Sequence, residues 1–230
     1  MFKKLIIAAI SASFVASAAF ADSTNIGLRI SAANLAASGS ETADSGSIGG
    51  GGARTTIGEK DASFELPSIF IERQIEMNSS LSMVFGLDLV PLTEDVASLG
   101  GGTGTDAKVK AGNLITAYVQ PTFSVSDKIS VYGKLGYAQG DLEISDITRQ
   151  ATATQANDAA SIETNADKNL GGPVYGLGVQ MNNDMGVFSF VRLEASRTDF
   201  DRISHTNSNG KLLTAEAEMD QISLTIGKSF

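Results

Sequence analysis

The strongest constraint on this chain is a two-residue period that returns in eight segments, joined by connections of alternating length. "TNIGLRISA" sets Ile26, Leu28 and Ile30 against Gly27, Arg29 and Ser31. "SLSMVFGLDLVP" sets Leu81, Met83, Phe85, Leu87 and Leu89 against Ser82, Val84, Gly86 and Asp88. The same alternation runs through "NLITAYVQPTFSV", "ISVYGKLGY", "VYGLGVQM", "VFSFVRLEAS" and "QISLTIGKSF", with a further segment around Ser63 to Ile75. Successive side chains of a strand point to opposite faces, so each segment reads as a strand with one apolar face.

The joints sharpen this reading. After the second, fourth and sixth segments the connections are short: Met77-Asn78-Ser79, Ser126-Asp127 and Asn182-Asn183-Asp184-Met185. The other connections are long and hold "GGGGARTT", "GGGTGTDAK" and "TRQATATQANDAASIETNADKN". Short turns at one end and long loops at the other predict an all-β, eight-stranded antiparallel up-and-down transmembrane β-barrel. An even strand number puts both chain ends on the short-turn side.

The N-terminal stretch supplies a route to a membrane. Lys3 and Lys4 precede an apolar run, and Ala19-Phe20-Ala21 stands ahead of Asp22. A basic region, a short apolar region and an A-x-A site make a secretory signal peptide, with cleavage at Ala19 and Ala21. The run is too short, and too rich in Ser and Ala, for the ~20 apolar residues of a spanning helix. Residues 1–21 are therefore expected to be signal and 22–230 a single barrel domain. With no cysteine, an exported chain has no disulfide and no site for lipid attachment. The formal net charge of −9 argues against nucleic acid as a partner.

Alternation alone does not separate a membrane barrel from a soluble lipocalin-type barrel, whose strands also alternate. Arg29, Asp88, Lys134, Arg192 and Glu194 lie opposite the apolar set, near mid-segment. In a membrane barrel they form a lumen network of mutually compensating charges; in a lipocalin they are solvated exterior. A change of phase discriminates better. Ile222, Leu224 and Ile226 are even-numbered, whereas upstream Leu213, Ala215, Ala217 and Met219 are odd, with Glu216, Glu218 and Asp220 between them. Val191, Leu193 and Ala195 give way to Arg197, Asp199 and Asp201, with Phe200 on the other face. Leu135 and Tyr137 give way to Asp141 and Glu143, with Leu142 and Ile144 opposite; Phe64 and Leu66 precede Ile69 and Ile71 in the same sense. Each switch lies toward the long-loop side, as expected of strands leaving lipid for water. A bulge also shifts phase, and Pro67 makes one plausible in the second segment. The fourth segment is an exception, because Val109 keeps the phase of Ile115. Segment lengths suit the ~9–11 tilted residues that cross a bilayer. Arg73 and Lys228 fall at the short-turn ends, Tyr137 and Tyr175 near the outer rim, and Phe123 and Phe230 near the inner one.

With its signal peptide, alternating loop lengths, "SFVRLEAS" charges and terminal "ISLTIGKSF", the chain resembles the small outer-membrane barrels of Gram-negative bacteria, the OmpA/OmpX-type and opacity-protein group. The resemblance implies that Ile222, Leu224, Ile226 and Phe230 are the signal read by the barrel-assembly machinery. Lys228 stands where that pattern more often has an aromatic residue. It also implies outer-membrane lipid and lipopolysaccharide as surroundings and a monomer; because the chain ends with the barrel, no periplasmic peptidoglycan-binding domain is expected to follow.

Candidate chemistry is thin. His205 is the single histidine. Ser208 as nucleophile, with Glu216 or Glu218 orienting His205, gives a lipid A deacylase reading, but the chain has His205-Thr206-Asn207 where such enzymes carry H-x-S. The glycine runs 49–52 and 100–102 lack the Lys-Ser/Thr and helix of a phosphate loop. Asp141, Glu143, Asp146, Asp199 and Asp201 could hold Ca²⁺ or bridge lipopolysaccharide, without EF-hand spacing. The expectation is a non-enzymatic barrel without cofactor, with an envelope-integrity or adhesion-like role through loops 35–62 and 140–171. The alternatives are a narrow pore, a deacylase and a soluble binding barrel.

Overall fold

The computed structural model describes residues 22–42, 55–91, 94–99, 105–149, 166–183, 186–206 and 212–230. They form nine segments: β1 (Asp22–Thr42), β2 (Thr55–Glu76), β3 (Leu81–Val90), β4 (Glu94–Leu99), β5 (Thr105–Ser124), β6 (Ile129–Arg149), β7 (Ala166–Asn182), β8 (Phe190–Thr206) and β9 (Leu212–Ser229). Both β3 and β4 pair with β5, so they are two parts of one barrel strand. The sheet runs β3-β2-β1-β9-β8-β7-β6-β5, and β3 returns to β5 to close it. All pairings are antiparallel, and the result is a closed eight-stranded up-and-down barrel. The ends meet: Thr24 N–H donates to the Phe230 carbonyl at 3.1 Å, and Phe230 N–H donates to the Thr24 carbonyl at 2.9 Å.

The strands are longer than the alternation alone suggested. β2 has 22 residues, about 70 Å of strand at the usual rise per residue. Segments expected as loops 35–62 and 140–171 are largely strand, covering 35–42, 55–62, 140–149 and 166–171. The Ala, Ser and Gly residues of 36–40 give no apolar contrast from which to read a period, yet the backbone ladder of a barrel needs none, and in 140–149 the alternation of Leu142 and Ile144 with Asp141 and Glu143 continues as strand. At the other end β8 begins only at Phe190, and Val187 to Ser189 lie outside it.

The pleat explains the phase changes. Along β9, Glu216, Glu218, Asp220, Ile222 and Leu224 are all exposed, while Met219, Ser223 and Thr225 are buried. The pleat never slips; the chemistry of each face inverts. β8 repeats this as far as Phe200, with Leu193 and Ala195 outward and Arg192, Glu194, Thr198 and Phe200 buried, before its register with β9 shifts between Phe200 and Ile203. In β2, Glu65, Pro67, Ile69 and Ile71 are exposed, and its register with β1 runs unbroken through Pro67, so no bulge is needed there. The exception in β5 has the opposite explanation. Asn113 adopts φ 49°, and the β5–β6 register shifts between Gly112 and Ile115. One extra residue inverts the pleat between positions 109 and 115.

Side-chain acceptors shape two of the short turns. Asn78 Oδ1 accepts from Ser80 N–H at 2.9 Å and Leu81 N–H at 3.0 Å. Ser126 Oγ accepts from Ile129 N–H at 3.2 Å. Such local acceptors stabilise tight reversals. The third turn carries Gly186 at φ 74°, a left-handed conformation that glycine adopts without steric cost.

Inside, two layers stack. Toward the long-loop end, Ala33, Leu66, Val90, Leu170, Phe200 and Met219 form an apolar cluster. Toward the short-turn end the filling is polar and aromatic, and each large ring lies over a cross-strand glycine. The pairs are Phe70 with Gly27, Tyr118 with Gly86, Tyr132 with Gly178 and Phe190 with Gly227. A Cβ on any of these glycines would fall 2.2–2.6 Å from the facing ring. Small residues opposite rings are how a narrow barrel is filled.

Candidate functional site

The candidate site is the polar lumen, where strand pairing brings side chains from most of the wall together. Glu72 (β2) and Arg192 (β8) meet bidentately, Nη1 to Oε1 at 2.6 Å and Nη2 to Oε2 at 2.9 Å. Tyr118 O–H also donates to Glu72 Oε1 at 2.6 Å, and Arg192 Nε donates to Gln180 Oε1 at 2.6 Å. The Arg192 guanidinium lies 4.3 Å from the Phe190 ring centroid and 5.7 Å from that of Tyr132. A planar cation between rings and a carboxylate uses both its edge and its faces.

Beside this pair, Glu194 accepts from Lys134 Nζ at 2.7 Å and Tyr132 O–H at 3.0 Å. Arg29 Nη1 stands 2.6 Å from Asp88 and 3.8 Å from Glu194, and Arg29 Nε donates to Thr225 Oγ1 at 3.2 Å. Lys134 Nζ lies 4.5 Å from the Tyr118 ring centroid. The structure thus brings Arg29, Asp88, Lys134, Arg192 and Glu194 into one cluster of buried or nearly buried side chains.

Reading the sequence missed Glu72, Tyr118, Tyr132 and Gln180. A signal for Glu72 was present. The five residues named from the sequence carry three positive and two negative charges, and an uncompensated buried charge is too costly to leave. Glu72 lies on the inward face of β2, between outward Ile71 and partly buried Arg73. Among the described residues it brings this cluster to three cations and three anions.

The outer wall is the reverse of the lumen. Ile26, Leu28, Ile30, Ile69, Ile71, Ile115, Val131, Leu135, Leu177, Val179, Leu193, Ile222 and Leu224 are all exposed and form an apolar belt. Phe123 and Phe230 are exposed toward the short-turn end. Lys228 Nζ donates to the Gly186 carbonyl at 2.9 Å, and Arg73 Nη1 donates to Thr24 Oγ1 at 3.2 Å.

Above the belt the wall turns polar. Tyr137 O–H donates to Asp201 and Tyr175 O–H to Asp199, both at 2.6 Å. Arg197 chelates Asp220 at 2.6 and 2.7 Å, and Arg202 pairs with Glu216. Glu218 lies 3.5 Å from Arg197. Asp199 and Asp201 therefore each hold a tyrosine hydroxyl, and Asp141 accepts from Asn113 Nδ2 at 3.2 Å. Among the described residues no cluster of His, Cys, Asp and Glu has the arrangement of a metal site. Ala19, Ala21, Ser208 and the glycine runs 49–52 and 100–102 lie outside the described residues, as do the side chains of His205, Glu143 and Asp146.

In architecture the chain is a small eight-stranded barrel with a charged interior and an apolar exterior. No protein-family model matches the sequence, and no curated protein matches it. Among solved structures it is similar to neisserial surface protein A (10% identity, TM-score 0.43, covering 90% of this chain and 97% of that one). It is also similar to Ail, the attachment invasion locus protein of Yersinia pestis, in complex with the heparin analogue sucrose octasulfate (11%, TM-score 0.41, 89% and 98%). A third is the outer membrane protein OprG of Pseudomonas aeruginosa (15%, TM-score 0.41, 87% and 95%). Likeness at this level carries no argument about activity; the fold rests on the strand pairing of the chain itself.

Proposed function

We propose that this protein is an integral outer-membrane β-barrel, exported by its N-terminal signal, with a non-enzymatic role in envelope integrity or surface contact. One observation carries the reading: at a common level, several strands exchange an apolar outward face for a polar one without any slip of the pleat. In β9 the outward row passes from Ile222 and Leu224 to Asp220, Glu218 and Glu216, and in β2 from Ile71 and Ile69 to Glu65. A soluble barrel has no reason to expose the apolar part of this wall, since belts of that size on a monomer mark a lipid or protein interface. The buried charges inside are the counterpart, each paired with an opposite charge, although Arg29 Nη2 has no hydrogen-bond partner.

The sealed lumen favours the structural role over the narrow pore. Arg192, Lys134, Glu72 and Glu194 are all 2% exposed or less. Ring faces and ion pairs occupy the space that a conducting path would need. The polar ends of the strands, and the loops joining them, are then the part offered to the surroundings, with lipopolysaccharide as the first neighbour. The outward Ile222, Leu224 and Ile226, with exposed Phe230 at the short-turn rim, suit a terminal strand read by the assembly machinery. Deleting Phe230 should lower the yield of barrel in the membrane more than it alters the barrel once folded.

The test of the whole reading is membrane fractionation combined with gel migration before and after heating. A detergent-dependent protein in the outer-membrane fraction, with heat-modifiable migration, is the expected result. A protein that purifies folded without detergent would overturn it.

A further inference from the structure

Four strands supply the lumen charges from short local patterns. On β6 Tyr132 and Lys134 are two residues apart, and on β8 so are Arg192 and Glu194. Residues at that spacing share one face of a strand, here the buried one. Glu72 comes from β2 and Tyr118 from β5. The result is two ion pairs, Glu72 with Arg192 and Lys134 with Glu194, in which every side chain exposes 1% or less. Among the described residues no hydrogen bond or ion pair joins one pair to the other directly.

Two tyrosines do join them. Tyr118 donates its hydroxyl to Glu72 at 2.6 Å, while its ring lies under Lys134 Nζ, 4.5 Å from the centroid. Tyr132 is the mirror case: its hydroxyl donates to Glu194 at 3.0 Å, and its ring centroid lies 5.7 Å from the Arg192 guanidinium. Each tyrosine thus holds the acid of one pair by its hydroxyl and the cation of the other by its face. A ring face attracts a cation more strongly where water is excluded. A hydroxyl bonded to a carboxylate makes a charge-assisted hydrogen bond, which fixes the ring that carries it. If either acid is released, the ring tied to it is no longer held against the other pair's cation.

We propose that Tyr118 and Tyr132 interlock the two buried ion pairs, so that the lumen opens as one unit and has no state in which one pair is lost alone. Rings and ion pairs could each stabilise the barrel without this; the crossed assignment of hydroxyl and face is what couples them. The interlock lies inside the barrel and holds whatever surrounds the wall, so its failure would leave the membrane reading standing.

The experiment uses the full chain refolded in detergent micelles, with urea unfolding followed by far-ultraviolet circular dichroism and gel migration. One pair is removed by Glu72→Leu/Arg192→Met, the other by Lys134→Met/Glu194→Leu, and both by all four changes. Each step removes one charge of either sign. The cost of the four changes together should fall short of the two separate costs added, by about tenfold in the unfolding constant. The same cycle in a Tyr118→Phe/Tyr132→Phe chain keeps the rings and removes the hydroxyls, and there the shortfall should shrink to less than about twofold. Additive costs with both tyrosines present would overturn the proposal. So would a shortfall that survives without the hydroxyls, because attraction through space would then be its source. A second measurement needs no substitution and decides the matter if a variant does not refold. In the unaltered chain the hydroxyl protons of Tyr118 and Tyr132 should exchange with solvent at rates within about fivefold of each other, as groups released by one opening do. A larger difference would overturn the interlock.

Discussion

Replacing Glu72 by glutamine tests the lumen most directly. The carboxylate is bidentate to Arg192 at 2.6 and 2.9 Å and also accepts from Tyr118 O–H at 2.6 Å. Neither partner of the ion pair exposes more than 1% of its side chain. Glutamine keeps the shape and one acceptor but removes the charge, leaving Arg192 with Gln180 and the flanking rings. Breaking a buried pair from one side costs about 3–5 kcal/mol, because the remaining charge is left uncompensated. For a urea slope of about 2 kcal/mol per molar, the unfolding midpoint should fall by roughly 2 M. The double variant Glu72→Gln/Arg192→Met removes the stranded charge as well, so it should cost clearly less than the two single changes added together. The assay is urea unfolding of the refolded barrel in micelles, followed by intrinsic tyrosine fluorescence and by gel migration. A midpoint change near zero for Glu72→Gln, or strictly additive single costs, would mean that water reaches the pair. The sealed-lumen account would then be wrong.

Other outcomes follow from the same structure. Gly227→Ala places a Cβ 2.2 Å from the Phe190 ring, so overpacking should cost about 1–3 kcal/mol. Gly39→Ala, whose nearest atom stands at 3.6 Å, should leave the unfolding midpoint nearly unchanged. Leu224→Arg puts a charge in the middle of the apolar belt and should destabilise folding into lipid vesicles by about 2–4 kcal/mol, whereas Ser63→Arg, above the belt, should have little effect. Arg197→Ala breaks a geometrically good pair with Asp220, but both side chains are well exposed, 38% and 57%. Its unfolding midpoint should stay close to that of the unaltered protein at physiological salt, in contrast to Glu72→Gln.

How much of this was legible beforehand depended on contrast. Where large apolar residues alternate with polar ones, as in Ile222 to Ile226 or Ile26 to Ile30, the inward and outward sets read from the sequence are those of the barrel. Where the chain is only Ala, Ser and Gly, as in residues 36–40, the period vanishes and the sequence reads as loop although the backbone is strand. Val109 departs from the pattern of the other segments because the single extra residue near Asn113 leaves no mark in composition. Arg29, Asp88, Lys134, Arg192 and Glu194 were recognisable as opposite the apolar set, but Glu72 was not, lying within "IERQIE" among other polar residues.

What the sequence determined by itself is the face of each residue within an unbulged stretch of strand, because a two-residue period is local and needs no partner. It also set where lipid chemistry gives way to water chemistry, since that exchange is written along each strand separately. Register was decided only in the closed barrel. Who faces whom across the lumen, Glu72 with Arg192 or Lys134 with Glu194, depends on pairings between strands far apart in the chain. The end of the β2–β3 ladder at Ile69↔Leu89 is of the same kind: Pro67 and Pro91 are ordinary residues alone, and break the ladder only because the register sets one against the other.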